Sequence, residues 1–313
     1  MILVTGATGF VGRALTSELE KRGIAHRPVS RAPAAGFHAI GAIDGATDWS
    51  AALAGVDTVV HLAARVHVMQ DTAASPLAAF RAMNVEATIN LARQAASAGV
   101  RRFVFLSSIK VNGEATAPGR PFSADDAPCP TDPYGISKQE AEEALFRLGR
   151  ETGMEITVIR PPLVYGPGVK ANFLSLMGLA RRPLPWPFGS ISNRRSLVFV
   201  GNLVDFIQLA ARHPEAANRI FLVSDGVDLS IGELLQKLAK AMGRKALLIP
   251  VPPFLLEAAA AALGRRAAAA RLLGSLQADI GETRRITGWT PPYSVEEGLR
   301  LTAEAYLRER KAG

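Results

Sequence analysis

A chain of 313 residues with 48% hydrophobic and 20% charged positions carries enough apolar material for one large core, and its composition is far from that of a disordered chain. The single cysteine, Cys129, excludes an intrachain disulfide and a disulfide-built secreted framework. A formal net charge of +8 asks for anionic partners, but the cations are scattered and aromatics make up only 6%, so nucleic acid is set aside in favour of phosphate-bearing small molecules and, after them, a membrane surface.

Ile2-Leu3-Val4-Thr5 reads as a strand running straight into glycines, a start that leads us to expect no signal peptide and a cytoplasmic protein. Gly12 to Arg22 reads as a helix, Ala25 to Val29 as a second strand and Val56 to Leu62 as a later one. Asn84 to Ala98, with apolar residues three and four apart, predicts a helix; Val100 to Ser107 predicts a buried strand, Tyr134 to Thr152 a helix and Glu155 to Arg160 a strand. Strand and helix in alternation mean crossover units and a parallel sheet covered on both faces, and the fixed hand of those crossovers makes it doubly wound.

After Pro161 the pattern changes to prolines, glycines and short segments, followed by a strand at Ser196 to Val200, a helix at Asn202 to His213 and a strand at Ile220 to Val223. Helical stretches at Ser230 to Met242 and Val295 to Arg310 dominate the last third. The expectation is an α/β chain: a Rossmann-type, doubly wound parallel sheet in residues 1–165, with 196–224 returning to it, and a smaller, mostly helical C-terminal substrate lobe from 166–195 and 225–313. Leu247 to Leu263 is nearly apolar, but Pro250, Pro252, Pro253 and Glu257 argue against a membrane span. A strand followed by an alanine-rich surface helix is the favoured reading. With Arg265, Arg266 and Arg271 behind it, a basic amphipathic helix in peripheral contact with a membrane stays open.

Thr5-Gly6-Ala7-Thr8-Gly9-Phe10-Val11-Gly12 joins the first strand to the first helix. A bare glycine triplet is weak evidence, but between a strand and a helix it permits a tight turn, close approach to a pyrophosphate and amide donors at a helix start. A second strand that ends in an acid favours NAD, whereas arginine there accommodates the 2′-phosphate of NADP. Here it reads His26-Arg27-Pro28-Val29-Ser30-Arg31, so Ser30 and Arg31 favour NADP(H) over NAD(H). His61-Leu62-Ala63-Ala64 ends the next strand with residues small enough to form a backbone wall against the cofactor, and Asp44 and Asp48 are the alternatives for a contact to the adenine, with the register open.

Ser107 and Ser108 follow a strand, and Tyr134-Gly135-Ile136-Ser137-Lys138 opens the next helix. One-turn spacing sets the tyrosine and lysine on one face, where the ammonium is expected to draw the phenol's pKa down toward neutrality while a serine hydroxyl holds the same substrate oxygen. Beside a nicotinamide, that set interconverts an alcohol and a ketone. The serines lack a G-x-S-x-G setting for hydrolysis, and the five histidines show no metal spacing, so no metal is expected.

TGATGFVG, HLAA, SSIKVNG, PYGISK, RPPLVYGPG, RRSLVFVGNLVD and GWTPPYSVEEGL, in this order, resemble the extended short-chain dehydrogenase/reductases, and within them the nucleotide-sugar epimerase/dehydratase group. The resemblance covers nearly the whole chain. It implies Ser108, Tyr134 and Lys138 as the catalytic triad, with Lys138 also on the nicotinamide ribose. It implies cofactor contacts from Gly6, Thr8, Gly9, Phe10, Val11, Gly12, Ser107, Pro161 and Leu163. Asn172 matches a contact to the sugar nucleotide's diphosphate region, Arg195 matches the arginine that binds the diphosphate, and Arg194 stands beside it. Where the 4,6-dehydratases of the family carry an Asp-Glu pair after the catalytic serine, this chain has Ile109 and Lys110, which disfavours water elimination; Lys110 is either a solvated cation or a substrate-phosphate contact. Leu163 replaces an asparagine that touches the hexose, which suits a deoxy or N-acetyl sugar. The resulting expectation is a 4-ketoreductase of a nucleotide-linked deoxy-N-acetylhexosamine, with a 4-epimerase of a UDP- or polyprenyl-diphosphate-linked sugar as the alternative, and a homodimer through 84–98 and 134–152.

Overall fold

The computed structural model describes residues 1–66, 75–182 and 184–312. β1 (Ile2–Thr5), buried at every position, leads into α1 (Phe10–Lys21), β2 (His26–Ser30), the short β3 (His38–Ala39), α2 (Ser50–Leu53) and β4 (Thr58–His61). Then come α3 (Pro76–Arg81), α4 (Ala87–Ser97), β5 (Arg102–Leu106), α5 (Pro133–Thr152), β6 (Glu155–Arg160), β7 (Leu163–Tyr165), α6 (Ala171–Ala180), β8 (Pro185–Trp186) and β9 (Arg195–Phe199). The chain closes with α7 (Val200–Ala210), β10 (Arg219–Leu222), β11 (Asp228–Leu229), α8 (Ile231–Ala241), β12 (Leu247–Leu248), α9 (Pro253–Ala262), α10 (Arg266–Leu273), α11 (Gly281–Thr287) and α12 (Val295–Ala312).

Seven strands pair in parallel in the order β10-β6-β5-β4-β1-β2-β3, the doubly wound Rossmann order expected from the alternation. The order reverses between β1 and β4, which opens a crevice at their C-terminal ends. Because side chains alternate along a strand, neighbours divide between two cores. Leu3, Val59 and Phe103 pack under α2, α4 and α5, with Leu91 and Leu145. Val4, Val60 and Val104 pack on the other face with Leu15 of α1 and Phe206 of α7, in a core that continues to Leu235 of α8 and Leu299 of α12.

The strand expected at Ser196 to Val200 is β9, and it lies outside the main sheet, between β7 and β11. β8 and β12 form a separate two-stranded pair. The helix expected to begin at Asn84 differs more. The chain is helical from Pro76 to Ser97, and Asn84 sits inside a single wide π turn, Ala82–Glu86, that links α3 to α4. Its amide is fully buried, and a buried polar group must find partners, so the helix widens there rather than starting there.

Candidate active site

The glycine turn lies at the crevice between β1 and β4. Gly6 has φ +65, and a Cβ there would come within 2.7 Å of the Ala63 amide nitrogen, so only glycine lets the chain leaving β1 pass this close to the chain leaving β4. The Gly9 amide donates back to the Gly6 carbonyl at 2.9 Å, and at Gly12 an added Cβ would meet that same carbonyl oxygen at 2.1 Å. Gly9 caps α1 with no side-chain hydrogen bond, so the first-turn amides of Phe10 and Val11 keep their donors for an anion, and Thr8 and Gly9 are exposed above them. These residues fit a dinucleotide pyrophosphate.

Thr5 anchors the turn from below. Its hydroxyl accepts the amides of Leu62 (3.2 Å) and Ala63 (3.3 Å), which leaves its own hydrogen for His61 Nδ1 at 2.7 Å. His61 is therefore assigned as the tautomer that donates from Nε2 to Thr88 at 3.0 Å, and burial together with Lys138 holds its pKa down to about 3. It is a neutral strut between the glycine turn and α4.

Ser108 follows β5 and caps a short 3₁₀ turn, Ile109–Val111, accepting the Lys110 amide at 3.3 Å. α5 starts opposite, with Asp132 as N-cap accepting the Gly135 amide at 2.6 Å and Pro133 in the first position, where its missing N–H costs nothing. That start sets Tyr134 half-buried beside Ser108, its ring edge-on to Phe80 at 6.0 Å. Ser108, Tyr134 and Lys138 are thus brought to one place at the C-terminal end of β5.

The electrostatics differ from the expectation. The phenol is pushed up, by burial first and by the Asp132 carboxylate second, with only the neighbouring Ser108 hydroxyl pulling it down. Lys138 does not oppose this, because its ammonium donates to the Leu106 carbonyl at 2.8 Å and lies 4.2 Å over the Phe105 ring. Burial brings Lys138 itself down to about 7, against the pull of Glu142 one turn along.

Behind the lysine is a buried polar cluster. Arg160, at the end of β6, meets Glu142 at 2.6 Å with both side chains almost wholly enclosed, and its other arm donates to Asn112 at 3.1 Å. Ser107 also donates to Glu142, so its side chain belongs to this cluster; its amide donates to the Ile159 carbonyl at 2.7 Å, and its own carbonyl is what remains for a cofactor. A lysine whose pKa falls on folding destabilises the fold wherever it must carry its proton. The unfolded chain keeps that proton up to about pH 10.4, so stability rises as pH climbs from about 7 toward that value. Lys138→Met is expected to stabilise the fold below pH about 7 and to lose that advantage near pH 10. Urea titrations across that range check it, and a pH-independent difference between the two proteins would refute the depressed lysine.

Other expected contacts fall differently. Lys110 is partly exposed and its ammonium is paired, with Asp132 and, at 3.3 Å, with Glu114. Ser30 is buried and its hydroxyl turns to the Ala32 carbonyl at 2.6 Å, whereas Arg31 is exposed at the end of β2. Asp44 and Asp48 are taken up locally by the amides of Ala46 and Ser50. Pro161 is buried and its carbonyl accepts the Ile109 amide at 3.0 Å; Leu163 is 40% exposed, and Ala64 is partly exposed past β4. The side chain of Asn172 lies outside the described residues.

The two arginines have different partners, with Arg194 reaching Glu233 at 3.2 Å. Arg195 spends its guanidinium on the carbonyls of Arg271 (2.7 Å) and Gly274 (2.9 Å), while Arg194 lines a cleft of about 420 Å³ with Asn193, Glu257 and Gln277. Neither Ser108 nor Tyr134 lines that cleft.

Three residues escaped the reading of the sequence. Asp132 both caps α5 and charges the surroundings of Tyr134. Glu142 lies one turn beyond Lys138, a spacing visible in the sequence. Asn84 accepts the Arg65 amide at 2.8 Å and donates to Ser137 at 3.0 Å, tying the segment after β4 to α5.

The model of the NAD dependent epimerase/dehydratase family matches residues 2–224. A "UDP-glucose 4-epimerase" of Vibrio cholerae is 46% identical, over 98% of this chain and 95% of the relative. The "N-acetyl-alpha-D-glucosaminyl-diphospho-ditrans,octacis-undecaprenol 4-epimerase" of Escherichia coli O157:H7 is 26% identical over 97% and 94%. Among solved structures, a short-chain dehydrogenase/reductase superfamily protein from Agrobacterium tumefaciens with bound NAD superimposes with a TM-score of 0.77 at 25% identity, covering 100% of this chain and 98% of that one.

Proposed function

Because the chain belongs to the NAD dependent epimerase/dehydratase family, whose enzymes are of the extended short-chain dehydrogenase/reductase type, we propose that it is a 4-epimerase of a UDP-linked hexose or N-acetylhexosamine. The observation that carries this reading is the meeting of Ser108, Tyr134 and Lys138 beside the crevice where the glycine turn offers uncapped amides. The relative at 46% identity supports epimerisation over net reduction.

NAD(P), when bound, supplies the acceptor and the source of the C4 hydride. Ser108 holds the C4 oxygen by hydrogen bond, and Tyr134 takes the hydroxyl proton as the ketone forms and returns it once the sugar presents its other face. Raised by burial, the phenol is a strong base once ionised, and Lys138, one turn along the same helical face, is the cation proposed for the nicotinamide ribose. Ser107, Glu142 and Arg160 keep the floor of the site dry and rigid. Arg194, and Asn172 by its matched position, are the candidates for the diphosphate. The single cysteine agrees with action in the reducing cytoplasm, and a homodimer through α4 and α5 belongs to the same reading.

A second reading, an NADPH-linked 4-ketoreductase of a UDP-linked deoxy-N-acetylhexosamine, is favoured by one observation: β2 ends in Ser30 and an exposed Arg31 with no acid to hold an adenosine ribose. One assay separates the two. Purified protein given UDP-glucose or UDP-N-acetylglucosamine should bring it to equilibrium with its C4 epimer, from either direction, without net consumption of nicotinamide. Stoichiometric oxidation of NADPH by a UDP-4-keto sugar, with no epimer formed, would overturn the epimerase.

A further inference from the structure

α9 and β12 do not behave as ordinary covered elements. No residue of α9 is buried, and Phe254 (66% exposed), Leu255 (49%), Leu247 (64%) and Leu263 (75%) leave one continuous stretch of chain apolar and open. The helix nevertheless has an inside and an outside. Pro253 and Glu257, one turn apart, line the cleft that holds Arg194, and Leu256 packs on the core. Phe254, Leu255, Ala258, Ala261 and Ala262 therefore share the outward face, from which the helix's one charge is absent.

Charge surrounds this face on one sign only. From Leu234 to Ala278 the chain carries seven lysines and arginines and one acid, Glu257, so most of the protein's net +8 resides in this segment. Arg244, Lys245, Arg265 and Arg266 flank the apolar face, all four are exposed, and none is in an ion pair among the described residues. Elsewhere surface cations pair readily, as in Arg81 with Glu140 and Arg101 with Glu155. A face of phenylalanine and leucine rimmed by unneutralised cations matches the boundary of an anionic bilayer, where acyl chains meet negative headgroups. Among the described residues no helix is long and apolar enough to cross a membrane, so contact would be with its surface.

We propose that β12, α9 and the turn into α10 form a docking surface for an anionic lipid bilayer, with the Arg194 cleft held open beside the headgroups. The surface is independent of which sugar is turned over, so its test is read without the reaction. The full chain, spun with phosphatidylcholine vesicles containing phosphatidylglycerol, is expected in the pellet, and to stay in solution with phosphatidylcholine alone or at high salt. Phe254→Glu with Leu263→Glu, and separately Arg265→Gln with Arg266→Gln, should each weaken vesicle binding by about tenfold or more while circular dichroism stays that of the parent. Equal pelleting of parent and variants, or no pelleting at all, would overturn the proposal. So would a fall in the sedimenting mass of either variant without vesicles, which would make the face an interface between copies of this chain.

Discussion

Tyr134→Phe is expected to fold as the parent does, to retain its nicotinamide nucleotide and to turn over its sugar nucleotide about 10²–10⁴-fold more slowly. The ring is held by contacts that phenylalanine keeps, chiefly the edge-on stack against Phe80 at 6.0 Å, and Tyr134 is half-buried, so losing one oxygen opens no core cavity. What disappears is the hydroxyl beside Ser108, one turn before Lys138, that the proposed reaction uses to exchange a proton with the sugar. Steady-state turnover alongside a fluorescence titration of cofactor separates the two roles. Undiminished turnover would remove Tyr134 from the chemistry, whichever reaction the site performs.

Arg160→Leu is expected to cost stability rather than only activity, by about 3–5 kcal/mol. The guanidinium and the Glu142 carboxylate are enclosed on all sides, so removing one leaves the other without water or a counter-charge. Asn112 loses the Arg160 donor as well. Glu142→Gln keeps one acceptor oxygen for Ser107 and Arg160 Nε but turns an NH2 toward the other guanidinium arm, so it should cost stability too, and it should lower Lys138 further by removing the carboxylate that holds its proton on. A double replacement of Glu142 and Arg160 by apolar residues should recover much of the loss, because neither charge is then stranded. Urea midpoints at constant m-value measure all three. Additive losses in the double variant would mean the two side chains do not act as a pair.

The parts of this molecule that were legible in its sequence are those set by neighbours along the chain. Alternating apolar runs predict the parallel sheet, and Gly6, Gly9 and Gly12 predict a turn because their spacing alone implies close backbone approach. Tyr134 and Lys138 share a helical face because one turn separates them. Where the reading failed, a distant group decided the matter. Spacing placed Lys138 near Tyr134 but could not show that the Leu106 carbonyl, on another element, would claim the ammonium. Lys110 looked free until the fold delivered Asp132 from the start of α5. Arg194 and Arg195 are adjacent in sequence, yet neighbours at a strand point to opposite sides, and only the docking of the segment 271–274 fixes which one faces the cleft.

The wide turn at Ala82–Glu86 has a consequence for how the chain counts. Each residue of a regular helix advances the face by about 100°, so a run of twenty-odd positions normally commits all its apolar residues to one stripe. One loose turn lets the phase slip. Phe80, ahead of it, packs toward Tyr134, while Leu91, Ala92 and Ala95, beyond it, settle against the sheet as though belonging to a second helix with its own origin. The rod thereby turns one face to Tyr134 before the turn and another to the sheet after it, and Asn84 marks the missed beat.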